Sequence, residues 1–283
     1  MKLLHSFTPR LILGLILLTG FIVAAGLAGD PQNTYLPLAL RDFSTLLPPT
    51  WWRPAPGTSW QIQYTGALDL SFDVQMYDLD LFETSQSVID ELHAAGRRVV
   101  CYFSAGSWED WRSDAGQFPE SVLGSELEGW PGERWLDIRQ MDVLAPIMAA
   151  RLDLAAQKGC DGVDPDNVEG YANDSGFPLT PQDQAAYNIW LAAQAHSRGL
   201  AVGLKNDLAQ IPDLISYFDW QLNEQCFQYN ECDLLLPFIQ ASKPVFGIEY
   251  QGDPASFCPQ ANSMNYDTLV KNLDLDAWRS ACR

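Results

Sequence analysis

A chain of 283 residues suits one large domain or two small ones, and its 47% hydrophobic content is enough to bury a core. Seventeen basic residues against 36 acidic leave a net charge of −19, which disfavours nucleic acid as a partner and favours a cationic ligand. Acidity that only keeps an exported protein soluble explains the charge equally well. Three histidines are present, His5, His93 and His196, none at the end of a strand-like run, so a Ser-His-Asp triad or a His-ligated metal centre has little material.

Residues 1–10 carry Lys2 and Arg10, and an apolar run over 11–29 closes in the small residues Ala24, Ala25, Ala28 and Gly29. This pattern is that of a secretory signal peptide, with an uncleaved anchor as the alternative because the run is long. Lys2 and Arg10 are the only charged side chains before Asp30. Without that segment the 17 basic residues fall by two to 15, against 36 acidic, a net charge of −21. Residues 30–50 read as a linker with Pro31, Pro37, Pro48 and Pro49, although 35–40 is apolar for one. Residues 51–283 then form the folded domain.

Residues 60–64 alternate apolar and polar and stop at Gly66, a strand signal. Residues 71–80 also alternate, with Phe72, Val74 and Met76 on one face and acids at the end. A helix is expected over 85–95, with Ser85 as N-cap and Gly96 as its stop. Residues 98–104 are a β-branched and aromatic strand. Residues 107–133, rich in Trp, Gly and acid, read as an elaborate loop, and 135–138 as a short strand. Helical spacing covers 143–158. The run 160–171 (CDGVDPDNVEGY) is a strand that enters an acidic loop, with Gly162, Asp164 and Asp166 on one face and Pro165 ending regular pairing. Thr180-Pro181 starts a helix to about 197. Strands at 200–205, 220–224 and 244–250 follow, with helices at 213–218 and 232–241 between them.

Eight strands that mostly alternate with helices favour a parallel (β/α)8 TIM barrel, with an open doubly wound sheet as runner-up. No Gly-rich phosphate loop follows any strand, so nucleotide chemistry is weakly supported. In such a barrel the C-terminal strand ends meet at one mouth, which would gather Asp78, Asp80, Tyr102, Ser104, Asp137, Asp164, Asp166, Lys205, Asn206, Asn223, Glu224, Glu249 and Tyr250. Any one of these is equally well a cap, a surface acid or a structural counter-ion. Together they suit glycoside hydrolysis, in which one carboxyl protonates the leaving oxygen while a second attacks or activates water. Trp60, Trp108, Trp111 and Tyr250 are candidate stacking faces for sugar rings, ordinary packing being the competing reading. A divalent cation held by the same acids is the rival chemistry.

The six cysteines, Cys101, Cys160, Cys226, Cys232, Cys258 and Cys282, suit disulfides in an exported chain. Cys226 with Cys232 and Cys258 with Cys282 are the near pairings, the second tying back a C-terminal helix. Cys101 and Cys160 are either the third pair or two buried thiols.

The segments 99–109 (VVCYFSAGSWE), 159–167 (GCDGVDPDN), 203–207 (GLKND) and 223–226 (NEQC) resemble glycoside hydrolase family 114, the endo-α-1,4-polygalactosaminidases, over about residues 51–250. The resemblance implies a TIM barrel that cuts α-1,4-linked galactosamine polymers within the chain. It implies Asp166 and Glu224 as the catalytic carboxylates. Asp164, Lys205, Tyr102 and Glu249 match recurring family positions and are substrate-binding candidates, to which Asp80 and Tyr250 from the mouth and Asn167 from the 159–167 segment are added. Asp166 is expected to be the nucleophile and Glu224 the general acid/base of a retaining enzyme. The expected partner is a cationic polysaccharide bound by a secreted monomer. No cofactor, metal or nucleic acid is expected, nor a stable membrane partner unless the N-terminal segment is an uncleaved anchor. The other function classes are a non-catalytic carbohydrate-binding barrel and a metal-dependent lyase or aldolase.

Overall fold

A computed structural model describes residues 51–283. The expected signal peptide or anchor, the linker over 30–50 and the apolar 35–40 stretch lie outside the described residues. Among the described residues no helix is long and apolar enough to cross a membrane.

In chain order the elements are β1 (Trp60–Gln63), β2 (Met76–Asp80), α1 (Gln86–Ala94), β3 (Arg98–Ser104), β4 (Ser107–Glu109), β5 (Leu123–Glu126), β6 (Glu133–Leu136), α2 (Met141–Lys158), β7 (Gly162–Asp166), α3 (Pro181–Ser197), β8 (Ala201–Lys205), α4 (Ile211–Leu214), β9 (Trp220–Glu224), α5 (Cys226–Tyr229), α6 (Leu236–Gln240), β10 (Val245–Glu249), α7 (Pro254–Ser263), β11 (Asp267–Lys271) and β12 (Arg279–Ala281). The main sheet runs β1-β2-β3-β7-β8-β9-β10-β11-β12. Its first eight strands are parallel neighbours, and β12 pairs antiparallel with β11. At the seam between β11 and β1, Tyr64 N donates to Leu275 O, Gln61 to Ala277 O and the Arg279 guanidinium to Trp60 O. The chain is a (β/α)8 barrel whose tail closes the last gap.

Two expected elements differ. The stretch read as a barrel strand at 135–138 belongs to β6, which pairs antiparallel with β4 and β5 in a separate three-stranded sheet. That sheet is built from the segment expected to be a loop. Alternation is the same for both kinds of strand, so it does not reveal the partner. The eighth barrel strand is β11, in the tail. Its charged ends concealed it: Asp267 is buried against Arg283 (2.7 Å), and the Lys271 amine donates to Asp276 O. The acidic run over 160–166 is therefore the fourth barrel strand. Of the expected strand at 71–80, only 76–80 pairs.

The two faces of each strand meet different neighbours. Leu79, Val99, Cys101, Phe103, Val163, Val202 and Leu204 face the helices and pack with Ile89, Leu144, Met148, Leu152 and Leu191. Trp60, Met76, Val100, Trp220, Leu222, Phe246 and Ile248 fill the barrel. Helix α3 starts as expected: Thr180 accepts from Asp183 N, Asp183 accepts in return from Thr180 N, and Pro181 sits in the first turn. Ser85 occupies the N-cap of α1 without a side-chain cap bond. All six cysteines are bridged, Cys101–Cys160, Cys226–Cys232 and Cys258–Cys282, so the third pair forms. Cys258 lies in α7, the last helix, and its bridge to Cys282, just after β12, ties that helix to the tail.

Trp220 crosses the barrel floor, and the glycines around it make room for the ring. A Cβ at Gly203 would lie 2.2 Å from Trp220 Nε1. Trp220 is fully buried and has nowhere to shift. Gly203→Ala is therefore expected to cost about 3 kcal/mol, the upper range for overpacking. At this chain size that lowers Tm by roughly 10 °C, read by thermal unfolding under near-UV circular dichroism. An unchanged Tm would show that the floor can rearrange around the added methyl.

Candidate active site

Strand parity decides what reaches the mouth. Asp164 shares register with Tyr102, and Asp166 with Ser104, so Gly162, Asp164 and Asp166 rise in steps up the barrel interior. Lys205 ends β8 and Glu224 ends β9. The residue after each of these strand ends is left-handed: Asn167 (φ 60°), Asn206 (φ 48°) and Gln225 (φ 65°). Such backbone is uncommon outside glycine and collects at functional sites. It turns the chain sharply away, so each terminal side chain stays at the rim.

Lys205 joins the two carboxylates. Its Nζ lies 3.2 Å from Asp166 Oδ1 and 3.4 Å from Glu224 Oε2. Those oxygens can be no farther apart than the sum of the two distances, 6.6 Å. Burial alone would lower the Lys205 pKa. The charges of Asp166, Glu224 and Asp164 outweigh it and hold the amine well above the ordinary lysine value. Lys205 is thus a fixed cation.

Each carboxylate has further donors. Tyr102 donates its hydroxyl to Asp166 Oδ2 (3.2 Å), and Asn167 N donates to Asp166 Oδ1 (2.9 Å). Tyr250 donates its hydroxyl to Glu224 Oε1, and Asn206 donates Nδ2 to Oε2 (3.2 Å). Asn206 Oδ1 also accepts from Glu224 N (2.9 Å), which fixes the backbone that carries the acid. Burial first, and then the neighbouring carboxylates, raise the pKa of Tyr102 and Tyr250, so both hydroxyls remain donors.

The carboxylates open on a cavity of about 440 Å³. Of the expected site residues, Asp166, Glu224, Lys205, Tyr102, Tyr250, Asn167 and Asp80 line it. Asp80 is held by Arg112 at 2.7 Å and accepts from Phe82 N and Glu83 N. Asp164 does not line it. It is wholly buried one layer below, where its Oδ2 accepts from Tyr64 at 3.3 Å. That corrects the expectation that Asp164 binds substrate, because two residues along a strand drop it about 7 Å beneath Asp166. Glu249 is corrected likewise. With Ile248 turned inward, Glu249 points out of the barrel, accepts from Phe227 N at 2.9 Å and lines a different hollow. That hollow, about 540 Å³, is the larger, but none of Asp166, Glu224 and Lys205 reaches it. Asp166, Glu224 and Lys205 all open on the smaller one.

Among the aromatic candidates, Trp111 and Tyr250 line the cavity. Trp60 is core, and Trp108 donates its indole to Ala115 O behind the site. Sequence reasoning missed Tyr64, Trp130, Glu109, Arg112, Glu133 and Glu169, which also line it. Most of them sit on the β4–β6 sheet or the turns around it, which had been read as loop. Their clustering of Trp and acid was the available signal. Among the described residues Glu169 Oε2 is buried without a partner, and burial raises its pKa well above the ordinary carboxyl value. Among the described residues no group of three or more His, Cys, Asp and Glu side chains is placed to hold a metal ion.

A family model for glycoside-hydrolase family GH114 matches residues 44–283. The solved structure of Aspergillus fumigatus Ega3, in complex with galactosamine, is 48% identical, with a TM-score of 0.78, over 82% of this chain and 97% of that one. The glycoside hydrolase domain of PelA from Pseudomonas aeruginosa is 14% identical, with a TM-score of 0.64, over 79% of this chain and 98% of that one, a likeness of fold alone. An uncharacterized protein from Deinococcus radiodurans is 28% identical over 185 residues, 57% of this chain. The match spans 59% of that relative's length.

Proposed function

The chain belongs to glycoside-hydrolase family GH114, and from that footing we propose that it is a secreted, endo-acting glycoside hydrolase that cuts α-1,4-linked galactosamine polymers with retention of configuration. The observation that carries the reading is the Lys205 ammonium held between Asp166 and Glu224 at 3.2 and 3.4 Å on the cavity floor. Retention is the expectation attached to this pair: a retaining enzyme needs its carboxyls about 5 Å apart, whereas an inverting pair stands farther apart to admit a water.

In this mechanism Asp166 attacks the anomeric carbon while Glu224 protonates the departing glycosidic oxygen. A covalent glycosyl ester forms on Asp166 as the sugar–sugar bond breaks. Glu224, now ionised, takes a proton from water, and that water displaces Asp166. Lys205, Tyr102 and Asn167 N hold Asp166 along one line of approach, and Tyr250 and Asn206 aim Glu224. The galactosamine bound in the Aspergillus structure supports an amino sugar as substrate. The acidic balance of this chain, −19, supports a cationic polymer. Three disulfides support secretion.

The test is digestion of a de-acetylated α-1,4-galactosamine polymer, followed by proton NMR in the first minutes. We expect a ladder of oligosaccharides whose new reducing ends appear first as the α-anomer. A β-anomer first would assign an inverting mechanism. Binding of the polymer without release of oligosaccharides would favour the non-catalytic barrel. An unchanged rate in EDTA is expected, and loss of rate there would favour the metal-dependent alternative.

A further inference from the structure

One wall of the cavity has no part in the mechanism above. It is formed by the three-stranded β4–β6 sheet and carries Glu109, Arg112, Trp111, Trp130 and Glu133. Two of the acids on this side are already neutralised. Arg112 binds both oxygens of Glu109, each at 2.8 Å, and reaches Asp80 at 2.7 Å. Glu133 differs. It is 94% buried, being 6% exposed, and among the described residues its one donor is the Ser107 hydroxyl, 2.7 Å from Oε2. Among the described residues nothing donates to Oε1, and that atom is not sealed from solvent. A buried carboxylate with one oxygen satisfied and the other turned to a cavity calls for a donor from outside the chain.

The surroundings indicate the chemistry of that donor. Trp111 and Trp130 are 52% and 47% exposed and line the same wall, offering flat faces of the kind on which sugar rings stack. The hydroxyl chain ties this wall to the catalytic strand: Ser107 donates to Glu133, and Asn167, next to Asp166, donates to the Ser107 oxygen at 3.1 Å. Glu133 is therefore two hydrogen bonds from the residue that follows the nucleophile. The titratable groups facing it are Glu109 and Arg112 from the end of β4, Asp166 from β7 and Tyr102 from β3. Burial raises the Glu133 pKa to about 7, with the charges of Glu109 and Asp166 adding to it. A hydroxyl or an acetamide N–H offers Oε1 a single uncharged donor, whereas an ammonium offers three and a positive charge.

We infer that Glu133, with Trp111 and Trp130, forms an amino-sugar subsite beside the catalytic pair, in which Glu133 Oε1 takes the ammonium of one residue of a cationic polysaccharide. The inference rests on the galactosamine reading above and extends it: this wall is where the enzyme distinguishes a free amine from an acetamide.

The experiment uses de-acetylated and fully N-acetylated α-1,4-galactosamine oligosaccharides of equal length. They are titrated calorimetrically at pH 7 into the Glu224→Gln protein, which lacks the proton donor for cleavage, and into the Glu224→Gln protein that also carries Glu133→Gln. Glutamine keeps the Ser107 contact and removes only the charge. The added substitution is expected to weaken binding of the de-acetylated oligosaccharide about tenfold, the loss of one charge-assisted contact in a partly dry site. Affinity for the acetylated one should stay within about twofold. Trp130→Ala in the same background, an exposed position whose loss does not threaten the fold, should weaken both oligosaccharides about tenfold. Equal affinity with and without Glu133→Gln, an equal loss on both oligosaccharides, or no effect of Trp130→Ala overturns the subsite. Failure of the galactosamine reading looks different: neither oligosaccharide binds the Glu224→Gln protein, and the subsite falls with it.

Discussion

Asp166→Asn and Glu224→Gln should each reduce hydrolysis of the natural polymer by at least about a thousandfold, the scale on which removing a nucleophile or a proton donor acts. The two losses should differ in kind. Asparagine cannot form the glycosyl ester, so Asp166→Asn stays inactive on an aryl galactosaminide with a good leaving group. Glu224→Gln should keep the first step on that substrate, because a nitrophenolate departs without a proton. Its second step stalls, and added azide should release it as an α-glycosyl azide. With Asp166→Asn, azide should enter from the opposite face and give the β product. The folds should survive. Each amide is isosteric, and the Lys205 amine keeps the other carboxylate at 3.2 or 3.4 Å. Retention of more than about a tenth of wild-type activity by either variant would remove that residue from the assignment. An α azide from Asp166→Asn together with a β azide from Glu224→Gln would reverse the division of labour.

Strand alternation made one shared face legible, whereas the choice of Asp166 with Glu224 came from the resemblance to family 114. Gly162, Asp164 and Asp166 share a face from sequence alone, and the structure keeps that order. The same parity could have separated Glu249 from Tyr250. Consecutive residues on one strand cannot both face the barrel, and with Ile248 inside, Tyr250 goes in and Glu249 goes out. Treating every polar strand end as a mouth residue lost that distinction. Asp80 has the right parity yet is occupied by Arg112, a partner 32 positions away that no local pattern announces. Trp130 and Glu133 were hidden because the β4–β6 sheet departs from the βα rhythm, and a short antiparallel excursion with two 3₁₀ turns has no period of its own. The missing eighth strand has a different cause. The DTLVK sequence at 267–271 places charges at both ends of a buried strand, and only tertiary partners make that tolerable.

Thermal stability should be highest in mild acid and fall as pH rises from about 4.5 to 7.5, the reverse of what paired surface carboxylates give. The cause is a set of buried acids without adequate cations. Asp164, Asp207 and Glu133 are each pushed up to about 7, with burial the largest cause in every case. Asp78 is pushed well up in the same direction. The Asp78 and Asp164 geometry agrees. The single Tyr64 hydroxyl lies 3.2 Å from Asp78 Oδ1 and 3.3 Å from Asp164 Oδ2, and its one proton can serve only one of them. Among the described residues Asp78 Oδ2 and Asp164 Oδ1 have no hydrogen-bond partner. One carboxyl of the two is best held neutral, donating where a carboxylate could only repel. In the unfolded chain these groups ionise near their ordinary value of about 4. Between about pH 4 and 7 the native state therefore binds more protons than the unfolded state. Each such group then withdraws stability as pH rises, at about 1.4 kcal/mol per pH unit, and the loss levels off above its folded pKa. Calorimetric Tm values should decline through this window and flatten near pH 8. Asp164→Asn, which cannot ionise, should flatten part of the slope, so its advantage over wild type should grow with pH. A wild-type Tm that is level or rising from pH 4.5 to 7.5 would mean that these carboxylates are ionised and satisfied in the native protein. The floor beneath Asp166 would then carry negative charge, and the local field acting on the nucleophile would come from Asp164 as well as Lys205.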